Sequence, residues 1–180
     1  PKLPNFKCYI FFFFFYIEPN EWRAIQKLKR DKKMLCFMHA PGIIKPEVVG
    51  ASTPSGAIEA VTGIKVRASN GDIFLGVQPP ASPAAPLPID TKGMLISFWS
   101  GQVPAFFAED SKATTLGVYP DKSTAVAYRD FGNWQSVFFG GIGISDEFLN
   151  AMARKSSAWV AGNAGDAILL HGCCHNPTGI

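Results

Sequence analysis

Five groups of residues in this chain have types and spacings that could do chemistry. His39 opens the turn His39-Ala40-Pro41-Gly42, directly after the apolar run Met34–Met38. The mouth of a strand–helix–strand crossover is where open α/β sheets bind ligands. A nucleophile at such a turn would be a serine or a cysteine. Neither follows His39 and no acidic partner stands close in sequence, so a structural histidine is the expectation. His171, Cys173, Cys174 and His175 crowd together and resemble a metal cluster. Zinc ligands come as separated pairs on turns, so vicinal thiols at a strand end are the plainer reading. Gly140-Gly141-Ile142-Gly143 precedes a helix start and could cradle a phosphate on exposed N–H groups. It lacks the full dinucleotide spacing and the lysine of a P-loop, which leaves an ordinary strand-to-helix turn. Asp146 and Glu147 could serve as acid and base, but acidic residues in a first helical turn also complement the helix dipole. Trp99 and Trp134 could stack on sugar rings, but packing in a core or an interface is the plainer reading. No catalytic residue and no metal ligand is assigned on these grounds.

The elements that would position these groups read as an α/β domain. Lys7–Ile17, with the run Phe11–Phe15, predicts a buried strand. Pro19 and Asn20 punctuate it, and Glu21 begins a helix whose Trp22, Ile25 and Leu28 make one apolar stripe. Met34–Met38 is continuously apolar, as an inner strand of a parallel sheet would be. Strand, helix and strand together make a βαβ unit. A loop over Pro41–Pro54 leads to a short helix at Ser55–Thr62, which Gly63 ends. Ile64–Val66, Asp72–Val77 and Met94–Trp99 are strand candidates, and Gln78–Pro88 is a proline-rich connector. Thr114–Tyr119, Thr124–Arg129 and Trp134–Phe139 are separated by good turn formers and predict an antiparallel meander. Ser145 is placed to cap a helix carrying Phe148, Leu149 and Met152. Ala158–Val160 and Ala167–His171 would close the sheet around a turn at Gly162–Asp166.

Composition limits the classes open to the chain. It has 180 residues, 47% hydrophobic and only 17% charged, which fits one folded domain with a sizeable core. The missing initiator methionine at Pro1 and the stop at Ile180 predict a piece of something longer. The net charge of +3 is small. Lys27, Lys29, Arg30, Lys32 and Lys33 gather near one helix C-terminus, where they complement the dipole as a solvated helix end. No aromatic interleaving or glycine-rich motif accompanies them, which argues against a nucleic-acid partner. Cys8–Ile17 is too short for the ~20 residues of a membrane span, and no cleavage site follows it. Cys8, Cys36, Cys173 and Cys174 do not have the spacing of a disulfide framework. The compartment stays open.

Taken in order, several segments resemble a family. Leu3-Pro4-Asn5-Phe6-Lys7, Trp22-Arg23-Ala24-Ile25, Lys29-Arg30-Asp31 and Met34–Met38 with Ala40-Pro41-Gly42 look like the opening of a glutamine-amidotransferase-like domain. The type meant is the trimerisation domain beside the catalytic barrel of β-galactosidase-like glycoside hydrolases. Val61-Thr62-Gly63-Ile64-Lys65-Val66, Thr115-Leu116-Gly117-Val118-Tyr119, Ala125-Val126-Ala127, Gly132-Asn133-Trp134-Gln135-Ser136-Val137 and the helix Glu147–Arg154 follow in the expected order. The resemblance runs from Leu3 to His171. It implies a flavodoxin-like three-layer sandwich with a mainly parallel sheet and an added antiparallel meander, as one domain over 1–180. It also implies a non-catalytic accessory role in a homo-oligomer, with a glycosidase barrel in the same parent chain and a carbohydrate as the parent's substrate. True amidotransferases carry a cysteine on a sharp turn after a strand and a His-x-Glu pair. Here the turn reads His39-Ala40-Pro41-Gly42, no His-x-Glu occurs, and Cys36 lies inside the strand. No amidotransferase activity and no cofactor are expected.

The last residues resemble a second family. Leu170-His171-Gly172-Cys173-Cys174-His175-Asn176-Pro177-Thr178-Gly179-Ile180, approached by Ala164–Leu169, is similar to the cofactor segment of aspartate and aromatic aminotransferases. That likeness implies pyridoxal phosphate as the cofactor and Asn176 as the residue on its phenolic oxygen. The chain stops before the family's pyridinium-binding Asp and Schiff-base Lys, and without the lysine aldimine transamination cannot start. The alternative expectation is therefore a fragment of such an enzyme.

Overall fold

Lys33–Met38 (β2) is buried at every position, as an inner strand of a sheet covered on both faces must be. In this computed structural model, which describes residues 5–69, 76–81, 88–97 and 104–158, β2 has a parallel neighbour on each side. One is Cys8–Phe11 (β1) and the other Trp134–Phe139 (β7). Thr124–Asp130 (β6) pairs antiparallel with β7, and Thr114–Val118 (β5) pairs antiparallel with β6. The sheet order is β1-β2-β7-β6-β5. Parallel and antiparallel pairings are thus equal in number, where a mainly parallel sheet was expected. The meander is not appended to the sheet, because its last strand, β7, is the central one.

Helices cover both faces. Pro19–Leu28 (α1) and Pro54–Thr62 (α2) bring Ile25, Leu28, Ala57 and Val61 onto Leu35, Phe37 and Trp134. Asp146–Lys155 (α3) brings Phe148 and Met152 onto Met34, Cys36, Val137 and Phe139 on the other side. The alternation of β2 explains this division, since successive side chains of a strand point to opposite faces. The ends of the helices are set locally. Ser145 Oγ accepts from Phe148 N–H at 3.1 Å and Thr53 Oγ1 from Gly56 N–H at 3.1 Å. Gly63 closes α2 at φ 72°. The first helix begins at Pro19, two residues before the expected Glu21: proline suits the first helical position, and the Glu21 carboxylate accepts from Glu18 N–H at 2.8 Å.

The first strand differs most from expectation. It spans only Cys8–Phe11, is half-buried, and lies at an edge. Phe13 takes a left-handed φ of 50°, and the chain then bends across the end of β2. There Gly42 N–H donates to Phe14 O at 2.9 Å and Ile44 N–H to Phe15 O at 2.8 Å. A long straight apolar edge would expose a row of unpaired backbone groups. The bend gives Phe14 and Phe15 partners within the same chain.

A smaller antiparallel pair, Val66–Ser69 (β3) with Ala105–Ala108 (β4), packs Phe106 against Ile58, Ile64, Ala127 and Phe138. The expected strand at Ile64–Val66 therefore starts at Val66, and β4 had no counterpart in the sequence reading. Val77 bridges Ser97, and Gln78 bridges Val118 on β5. That second bridge pairs part of the β5 edge. Residues 70–75, 82–87 and 98–100 of the other expected segments lie outside the described residues, as do Val160 and Ala167–His171.

Candidate functional site

The turn after β2 occupies the place in this fold where chemistry was expected, and the structure fills it. His39 N–H donates to Phe139 O at 2.6 Å, which continues the β2–β7 ladder by one residue. The backbone then turns sharply, with His39 at φ 63°. Non-glycine residues tolerate this region poorly, and His is among the more tolerant. The imidazole is 8% exposed and packs edge-on between two rings, Phe15 at 5.8 Å and Phe106 at 5.5 Å. Its Nδ1 lies 3.2 Å from Gly140 O. A carbonyl only accepts, so this contact assigns the hydrogen of the neutral ring to Nδ1. Burial pulls the imidazole below its usual value, and the Gly140 carbonyl offsets only part of that shift.

Ala40, Pro41 and Gly42 are also buried. Phe14 and Phe15 run beside them, their carbonyls accepting from Gly42 and Ile44 N–H. Two open grooves, of about 950 and 780 Å³, lie elsewhere, beside Asp90, Lys92, Gly93 and Met94.

Neither described cysteine lies on the turn. Cys36 is fully buried in β2, and that burial holds its thiol well above the usual range. A thiol in that state is not the thiolate that nucleophilic chemistry needs. Cys8 is half-buried, and burial pushes it up to about 11 despite a hydrogen bond with Ser156. Both cysteines are free.

The remaining candidates separate. Gly140 follows β7 as a tight packing point: a Cβ there would collide with Phe106 O and would stand 2.7 Å from Tyr119 Oη. It serves close approach, not phosphate binding. Asp146 and Glu147 are exposed in the first turn of α3. Trp134 is 6% exposed and stacked on Phe131 at 4.5 Å, so no sugar reaches its face. Among the described residues no group of three His, Cys, Asp or Glu side chains could hold a metal ion. Trp99, His171, Cys173, Cys174, His175 and Asn176 lie outside the described residues. No described helix is long and apolar enough to cross a membrane.

Two features escaped the sequence reading. The basic group at the end of α1 is not one solvated patch. Lys33 is 5% exposed and pairs with Asp31 at 3.0 Å. Lys29 lies between two tryptophan rings, Trp22 at 5.1 Å and Trp134 at 5.0 Å. The spacing of Trp22 and Lys29 places them two turns apart on one helix face, a signal that was present. Trp134 arrives only through the tertiary fold. The second feature is exposed apolar side chains: Phe6, Phe12, Phe13 and Tyr16 flank β1 in sequence, and Ile44 bridges Tyr16.

No family model and no curated protein matches this chain.

Proposed function

We propose that this chain is a non-catalytic α/β accessory domain that holds subunits together, of the flavodoxin-like, amidotransferase-derived kind found beside β-galactosidase-like glycosidase barrels. One observation carries this reading: the sharp, left-handed turn after β2 is occupied by the buried and ring-packed His39 and carries no serine or cysteine. Cys36, the cysteine nearest that turn in sequence, is fully buried with its thiol held protonated. The described residues at this turn therefore offer rigid scaffold in place of reactive groups.

The assembly half of the reading is supported by the β1 edge. Phe6, Phe12, Phe13 and Tyr16 flank β1 in sequence and Ile44 bridges Tyr16; all five are exposed, and among the described residues no strand pairs with the outer side of β1. Apolar surface gathered in this way marks interaction sites. The opposite edge is partly covered, since Gln78 and Val118 exchange backbone hydrogen bonds at 3.0 and 2.8 Å.

Multi-angle light scattering on the purified chain tests the proposal. A defined closed oligomer at micromolar concentration is the expected result, and a concentration-independent monomer would refute the assembly role. A parent coding sequence without a glycosidase barrel would refute the glycoside hydrolase assignment independently. Glutamine hydrolysis abolished by Cys36→Ser would overturn the non-catalytic reading.

A further inference from the structure

β1 pairs with β2 on one side, and among the described residues no strand pairs with its other side. Met34 N–H donates to Lys7 O at 2.9 Å. Alternation along the strand then turns the N–H and C=O groups of Tyr9 and Phe11 toward β2 and those of Cys8 and Ile10 outward. Sheet edges are blunted by lysine, proline, a bulge or a covering segment. Cys8–Phe11 contains no lysine or proline and pairs in regular register, which leaves covering.

The handedness of the sheet connections says what covers it. A crossover between parallel strands of one sheet is right-handed in about 98% of cases. The step from β1 to β2 carries α1 on the face of Leu35 and Phe37. The chain leaves β7 into α3 on the opposite face, against Met34, Cys36, Val137 and Phe139. With its helix on that face, a right-handed crossover steps through the sheet the other way, from β7 toward β2 and β1. Those two strands already fill the first two places, so the free place is outside β1. The packing of α3 agrees with this direction. Leu149 and Met152 share a cluster with Cys8 and Ile10, and Ser156, the C-cap, is hydrogen-bonded to Cys8, the first residue of β1. The helix thus delivers the chain to the level at which a strand parallel to β1 begins.

We propose that Trp159-Val160-Ala161, which lie outside the described residues, pair in parallel with the outer edge of β1. Three residues, Ser156–Ala158, connect them to α3, an ordinary length for a helix-to-strand loop. Reaching the same place with Ala167–His171 takes eleven, Ser156–Asp166. Phe12 and Phe13 lie past the last residue of β1 and are exposed, so the assembly role does not compete for this backbone edge.

Nuclear magnetic resonance on the full, isotope-labelled chain tests the pairing. The Cys8 and Ile10 amides are expected to exchange with solvent at least about a hundredfold more slowly than in the unfolded chain, and Ile10 should show Overhauser contacts to Trp159–Ala161. Exchange at the unfolded rate would overturn the proposal. So would contacts to Ala167–His171 instead, or contacts seen only between differently labelled chains in a mixed sample, which would place a second copy on this edge. Replacing both possible donors, Val160→Pro with Ala161→Pro, should speed exchange at Cys8 and Ile10 at least about tenfold while Tyr9 and Phe11 stay protected. Unchanged exchange at Cys8 and Ile10 would refute the pairing; if the variant unfolds, the contacts in the native chain decide. A monomer by light scattering leaves the result intact, because the strand comes from the same chain.

Discussion

His39 Nδ1 lies 3.2 Å from the carbonyl oxygen of Gly140, joining the two residues that follow the central parallel strands β2 and β7. The two residues fix one another. Gly140 has no Cβ, so its backbone can approach Phe106 and Tyr119, and its carbonyl then faces the ring of His39. The turn where an active site would open is therefore tied to the sheet.

Substitutions at His39 should follow backbone tolerance. At φ 63° Asn is tolerated and a β-branched residue is strained. His39→Asn should destabilise by about 1 kcal/mol and His39→Val by about 3 kcal/mol. Urea denaturation checks the order, and a Val variant as stable as the Asn variant would contradict the structure.

The same histidine makes stability depend on pH. Its folded value lies below 6.5, first because of burial, so the unfolded chain binds the proton more readily. The contribution of His39 is then complete above pH 6.5 and is lost as pH falls through the lowered folded value. Denaturation midpoints across that window should fall in the native chain and flatten in His39→Asn.

Asp110 and Arg129 form the best-buried ion pair described, at 2.7 Å with side chains 8% and 22% exposed. Burial pushes the Asp110 carboxyl up, but the Lys112 and Lys65 N–H groups and the Arg129 guanidinium outweigh it and leave it below its usual value. Its contribution is present above the unfolded value of 3.8 and is lost as pH falls through the lower folded one. Asp110→Asn should destabilise by about 2 kcal/mol at neutral pH, and a double-mutant cycle with Arg129→Gln should show coupling between the two. Additive effects would mean the pair contributes nothing.

Gly140→Ala should be among the most damaging small substitutions. The added Cβ meets the Phe106 carbonyl, which belongs to backbone and cannot rotate away. About 3 kcal/mol of destabilisation is expected, visible as a lowered melting temperature or loss of soluble protein. Gly132→Ala is the contrast, because no atom lies within 4 Å of its Cβ position and its left-handed φ of 83° alone should set a smaller penalty of about 1 kcal/mol.

The exposed edge predicts a change in assembly without a change in folding. Phe12 is 48% exposed, so Phe12→Ser should alter stability by less than about 0.5 kcal/mol. Light scattering should nevertheless show a shift toward monomer. An unchanged oligomer would move the contact surface elsewhere.

Several elements were legible because their signals are local. The five consecutive buried residues Met34–Met38, the turn formers between the meander strands, Ser145 as a cap and Gly63 as a helix stop each depend on a few neighbouring residues. Cys36 was expected inside the strand, and it lies in β2. The misread elements depend on partners far away in sequence. Phe11–Phe15 looked like one buried strand, yet whether its apolar faces are covered depends on the chain at Gly42 and Ile44. β4 lacked a distinct local pattern and is defined by pairing with β3.

By itself the sequence determined the alternation of α and β elements, the inner strand β2, the meander, and the lack of a serine or cysteine at the His39 turn. Those properties follow from residue type and short-range periodicity. The tertiary structure alone decided that β7 is the centre of a mixed sheet, that Phe14 and Phe15 run beside the turn, and that Trp134 completes a cage around Lys29. Each of these places residues widely separated in sequence within a few ångströms of one another, and periodicity along a chain carries no information about such distances.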